Sequence, residues 1–190
     1  MRHHFLFILS ILLFPIFLFS QNLDKLDKIN GFRKFKLGSN VSSFTNLKVQ
    51  PTNIKLKGVT NYTYIGNDIL DFSGVPIEQI SLTFYKNKLY QIHVSFGTIF
   101  KEYRYDQFDL VQTNLEANFG SYYHKISPSP QAEILNGYIW DGRVVRLESL
   151  RLNFAEKDGT RNPRYNYIQG YILFTHKKIQ QEQQNSELED

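Results

Sequence analysis

The stretch IEQISLTFYKNKLYQIHVSFGT, residues 77–98, constrains the fold more than any other. Ile80, Leu82 and Phe84 alternate with Ser81, Thr83 and Tyr85, and Tyr90, Ile92, Val94 and Phe96 alternate with Gln91, His93 and Ser95. A period of two puts successive side chains on opposite sides of a pleated strand, so both runs read as half-buried strands. Tyr85-Lys86-Asn87-Lys88 between them suits a tight turn, and Asn87 tolerates the positive φ such turns need. The spacing predicts an antiparallel hairpin with one apolar and one polar face. A lone hairpin is marginal in water, so other segments must cover that apolar face.

One cover is written at 105–121, YDQFDLVQTNLEANFGS, where the period changes. Phe108, Val111, Leu115 and Phe119 recur at spacings of three and four, a single helical stripe. Asp106 is the expected N-cap, Asp109 adds negative charge to the first turn, and Gly120 suits the C-terminal end. A shorter helix is expected after Gly38, capped by Ser39 or Asn40 and carrying Val41, Phe44 and Leu47. At about two turns it must be held by docking. Extended pieces are expected at Phe35–Leu37, around Ile54–Leu56 and at 61–66, with Gly74 and Pro76 punctuating the approach to the hairpin.

Beyond the linker-like SPSPQ at 127–131, residues 137–154 and 165–179 are rich in strand formers, with 155–164 as the loop between them. Ile168, Ile172 and Phe174 share one face of the last strand. Val145 and Leu147 share one parity while Leu150, Leu152 and Phe154 share the other, so a bulge is expected near Glu148–Ser149. The predicted class is α+β: an antiparallel sheet with a short N-terminal helix and one longer helix packed on one face. The order divides into two helix-plus-three-strand halves meeting near residues 98–104. The domain is assigned to 31–179, with a loosely held polar lead-in at 21–30 and a disordered polar tail at 180–190.

The chain begins MRHHFLFILSILLFPIFLFSQN. Arg2 supplies a positive start, and Phe5–Phe19 is apolar apart from Ser10 and Pro15. That run is shorter than the roughly 20 residues a membrane-crossing helix needs, so an uncleaved anchor fits less well than a secretory signal over residues 1–20. Removing it leaves 21 Lys plus Arg against 18 Asp plus Glu, a net charge of +3. So mild and scattered an excess does not point to nucleic acid. Cysteine is absent, which excludes thiol catalysis, thiolate metal sites, disulfides and a lipidated anchor. The expected location is a bacterial envelope, periplasmic or secreted, with no transmembrane span after cleavage.

FRKFKLGSNVSSFTNL (32–47), ISLTFYKNKLYQIHVSF (80–96) and the lone Trp140 in YIWDG resemble segments of small exported bacterial domains. Over roughly residues 31–175 the pattern is similar to the fold of β-lactamase inhibitor protein and of the small outer-membrane assembly lipoproteins. This chain departs from the lipoproteins in lacking their lipidated cysteine. The resemblance implies an α+β sheet that works by binding other molecules without cofactor chemistry.

The residues themselves assemble no catalytic motif. His93, His124 and His176 lack metal-ligand spacing, G-x-S-x-G is missing, and no glycine-rich phosphate loop occurs. Asp68 with Asp71, and Glu156 with Asp158, lie in turn-like segments where acids are ordinarily solvated. NVS (40–42) and NYT (61–63) match glycosylation acceptors, which matter only in a eukaryotic secretory route. Trp140 reads as a core aromatic. Arg143, Arg146 and Arg151 line the long strand region, and Arg161 and Arg164 bracket its loop beside Tyr165. Arginine with tyrosine is common interface chemistry, so Arg161, Arg164, Tyr165, Arg143 and Arg146 form the candidate binding set. The bland alternative is a charged edge that discourages sheet-to-sheet pairing. The expected function is non-enzymatic binding of an envelope protein or an anionic envelope component, with no cofactor. The alternative is a small envelope hydrolase with a dispersed carboxylate site.

Overall fold

A computed structural model describes residues 23–51, 56–121, 124–129, 133–154, 164 and 167–188. In chain order these form α1 (Leu23–Ile29), β1 (Gly31–Phe32), β2 (Phe35–Lys36), a 3-10 turn (Val41–Ser43), β3 (Leu47–Val49), β4 (Val59–Tyr64), β5 (Asp71–Phe72) and β6 (Val75–Pro76). There follow β7 (Gln79–Tyr85), β8 (Lys88–Phe96), α2 (Tyr105–Phe119), β9 (His124–Ile126), β10 (Ile134–Asp141), β11 (Val145–Asn153), β12 (Ile168–His176) and α3 (Lys177–Leu188).

The protein is α+β, built on one eight-stranded antiparallel sheet in the order β3-β4-β7-β8-β12-β11-β10-β9. Each half contributes four strands to the sheet, one more than the three expected of the first half. The halves join through their last strands, β8 and β12, so each runs outward from the centre to its own short edge strand. The expected hairpin is β7–β8, turning at Lys86 and Asn87 with φ of +47° and +64°. Two successive left-handed residues match the right-handed twist of the strands they connect.

Leu82, Ile92, Phe174, Leu147 and Trp140 form one row across five neighbouring strands, and all are buried. Phe108, Val111, Leu115 and Phe119 of α2 are buried in the same core, as their spacing predicts. The Trp140 indole N–H donates to the Gly120 carbonyl at 2.9 Å, tying the end of α2 to β10. Arg104, not Asp106, is the N-cap. Asp106 instead accepts two bonds from the Arg104 guanidinium, at 2.9 and 2.7 Å, while the Gln107 side chain accepts from the Arg104 backbone N–H at 3.0 Å.

Four expectations are corrected. The lead-in is helical over Leu23–Ile29, with Leu26 0 % exposed. The short N-terminal helix is therefore this one. Residues 41–43 make only a 3-10 turn, and Leu47 begins β3. The tail is helical to Leu188: α3 packs by Tyr85 and Tyr90 on the opposite side of the sheet and buries Gln183. Finally, β11 pairs with β12 without a bulge, and its two parities bury Leu147 on one face and Leu150 on the other. A strand enclosed on both faces carries apolar residues at both parities, which is what its sequence shows. Register shifts lie instead in β10, between Ile134 and Asn136, and in the β7–β8 pair, where Thr83 pairs with Gln91 and Phe84 with Leu89, so that Tyr90 is the extra residue. The strand expected around Ile54–Leu56 falls largely outside the described residues, as do the loop 155–163 and the signal segment.

Candidate functional site

The chain leaves α1 through Asn30, at φ +49°, and Gly31. A Cβ at Gly31 would lie 2.1 Å from the Phe35 carbonyl oxygen, so only glycine lets β1 and β2 close so tightly. Arg33 sits in their turn at φ +52°. The β5–β6 hairpin turns at Ser73, φ +56°, where Asp71 Oδ1 accepts from the Gly74 N–H at 3.1 Å. Together with α2 these two turns enclose a cleft of about 500 Å³. That is within the roughly 300–1,000 Å³ range of small-molecule sites.

Aromatic rings line the depth of the cleft. Phe32 stands 5.8 Å from Phe72 and 6.1 Å from Phe174, and Phe174 stands 6.5 Å from Phe119. The rim is polar: Arg33, Asp71, Asn114 and Asn118. Asn118 Nδ2 donates to the backbone and side-chain oxygens of Asn114, at 2.9 and 3.0 Å. That leaves Asn118 Oδ1 and Asn114 Nδ2 without partners among the described residues. Arg33 and Asp71 likewise make no ion pair among the described residues. The arrangement can hold an apolar body and bond a polar head. Sequence reading singled out Asp71 only as half of a carboxylate pair. The available signal for the rest was Asn114 and Asn118 four apart on α2, beside Leu115 and Phe119.

The described members of the arginine set, Arg143, Arg146 and Arg164, do not form one patch. Arg143 lies in the β10–β11 turn, where its guanidinium meets Asp24 at 3.4 Å and its N–H donates to Asp27 Oδ2 at 2.8 Å. Arg146 is on β11, 2.8 Å from Glu148. Arg164 is exposed in the connection from β11 to β12, at the other end of β11. At about 3.4 Å per residue, β11 puts about 27 Å between those ends. Arg161 and Tyr165 lie outside the described residues, as do Glu156 and Asp158. Arg151 points under α2, bonding the Tyr103 carbonyl at 2.9 Å and Glu102 at 3.3 Å, a structural role.

On the sheet face opposite α2, His93 stacks on Tyr171 with ring centroids 4.6 Å apart. Burial pushes the His93 pKa below the usual histidine range. Burial also pushes the Tyr171 hydroxyl up to about 12, with the Glu148 carboxylate adding to the shift. Asp68 is held below the usual carboxylate range by hydrogen bonds from Lys34, at 2.6 Å, and from the Tyr64 hydroxyl. Among the described residues no group of three or more His, Asp or Glu could hold a metal ion, and no helix is long and apolar enough to cross a membrane. Comparison of the chain with protein-family models, with curated proteins and with solved structures finds no match.

Proposed function

We propose that this chain is an exported bacterial envelope protein, periplasmic or secreted, that works by binding without catalysing a reaction. Export is supported by the apolar run at 5–19 behind Arg2, and the absence of cysteine leans an exported chain towards a bacterial envelope. Binding is supported chiefly by the aromatic-lined cleft with its polar rim of Arg33, Asp71, Asn114 and Asn118. By contrast, Asp24, Asp68, Glu78, Glu102, Asp106, Asp141 and Glu148 each stand within ion-pair distance of a lysine or arginine. Carboxylates so placed read as ordinary surface ion pairs.

The test is mass spectrometry of small molecules retained by the purified protein from envelope extract, beside an Asn118→Trp variant that fills the cleft. A compound held by the wild type and lost from the variant is expected. Release of a cleaved product instead would favour the hydrolase. Intact-mass measurement of exported material should show a start near Gln21, and retention of residues 1–20 would overturn the export reading.

A second reading, capture of an envelope protein or an anionic envelope component, draws on the His93–Tyr171 pair and on Arg146 on the same face. A photo-crosslinking residue at Gln91 should then trap that partner, and trapping only from the cleft rim would refute it.

A further inference from the structure

The rim of the cleft carries both signs of charge. Arg33 comes from the β1–β2 turn and Asp71 from β5, and both line the same cavity. They stand farther apart than ion-pair distance, and neither has another ionic partner among the described residues. A purely anionic ligand would be drawn to Arg33 and repelled by Asp71, and a purely cationic one would meet the reverse. A neutral ligand would leave both exposed charges to water and gain nothing from either. A ligand carrying an ammonium and a carboxylate satisfies both at once.

The body of the ligand is set by the rings beneath. Phe32, Phe72, Phe119 and Phe174 meet one another at tilted or edge angles of 39° to 74°, a geometry that a further ring extends favourably. The head is fixed from the side by the unpartnered Asn114 Nδ2, a donor, and Asn118 Oδ1, an acceptor. Left-handed backbone at Arg33 and Ser73 shapes the two turns beside which the charges stand. Resting on the cleft as a ligand site, we propose that its ligand is an aromatic zwitterion: a free aromatic amino acid, or a short peptide containing one.

The experiment is calorimetric titration of the purified protein with probes that share a benzyl body. L-phenylalanine and the dipeptide glycyl-L-phenylalanine carry both charges, phenethylamine only the cation, and 3-phenylpropanoate only the anion. At least one zwitterion should bind about tenfold or more tightly than either singly charged probe, and which zwitterion is tighter tells free amino acid from peptide. Arg33→Gln should erase the preference over phenethylamine, and Asp71→Asn the preference over 3-phenylpropanoate. Each should weaken zwitterion binding about tenfold, the scale of one charge-assisted contact. Both side chains are exposed, so the melting midpoint should hold. Equal binding of a singly charged probe would overturn the zwitterion and leave the cleft a ligand site. So would silence from all four probes while an envelope compound is still retained. Silence together with no retained compound would overturn both.

Discussion

Replacing Asp27 by Ala tests whether the N-terminal helix is part of the fold. The Asp27 carboxylate accepts from three successive backbone N–H groups of the β10–β11 turn: Arg143 at 2.8 Å, Val144 at 3.0 Å and Val145 at 2.9 Å. A residue before the first half of the sheet thus closes a hairpin of the second. Hydrogen bonds to a charged acceptor contribute about 1.5–3 kcal/mol each. The three do not simply add, because Arg143 and Val144 are exposed and would bond water instead. Val145 is fully buried, so its N–H would be left poorly hydrated. The loss should therefore be about 2–3 kcal/mol, a fall of about 5–10 °C in melting midpoint for a chain of this size. Thermal and urea unfolding followed by circular dichroism would measure it. Asp24→Asn is the control: its pairing with Arg143 is long and exposed, so it should cost at most about 1 kcal/mol. Gly142→Ala disturbs the same contact from the other side, since a Cβ there would lie 2.4 Å from Asp27 Oδ1. The double variant should lose less than the sum of the two. An Asp27→Ala protein within about 0.5 kcal/mol of wild type would refute the reasoning.

Phe108→Ala removes a buried ring between α2 and the sheet, and should cost about 3–5 kcal/mol by urea unfolding. Deleting residues 178–190 should uncover Tyr85 and Tyr90 and destabilise by about 3 kcal/mol, the scale of burying such side chains; unchanged stability would mean that α3 is not docked. Burial lowers the pKa of both His93 and His176. The unfolded chain therefore takes up these protons first, and stability should fall as pH drops below the ordinary histidine value of about 6.5, flattening once the folded histidines also titrate. His93→Gln should shrink that slope in melting midpoint measured between neutral pH and pH 5, and an unaltered slope would remove His93 from the account.

Local periodicity determined two elements before any tertiary contact is considered. Alternation at 80–84 and 92–96 can place its apolar parity together only as a strand pair, and Lys86-Asn87 leaves room only for a tight turn. Tyr90, expected on that parity, stands at a register shift and packs by α3 instead. Phe108, Val111, Leu115 and Phe119 can share a side only on a helix. The antiparallel α+β class followed from these and from the strand-rich C-terminal third. Shorter elements carried no such mark. Leu23–Ile29 is too brief to show a period, and its helix is held by Leu26 in the core and Asp27 on a distant turn. The polar α3 reads as a tail because Gln183 and Ser186 reveal their role only against Tyr85 and Tyr90. The parity conflict in β11 looked like a bulge because one sequence cannot show that both faces of a strand are covered. The cleft was least legible of all. Its walls come from residues 29–33, 71–73, 114–119 and 174, brought together when β12 inserts beside β8. Contacts over such separations depend on how the two halves pair, and that pairing is a property of the assembled sheet.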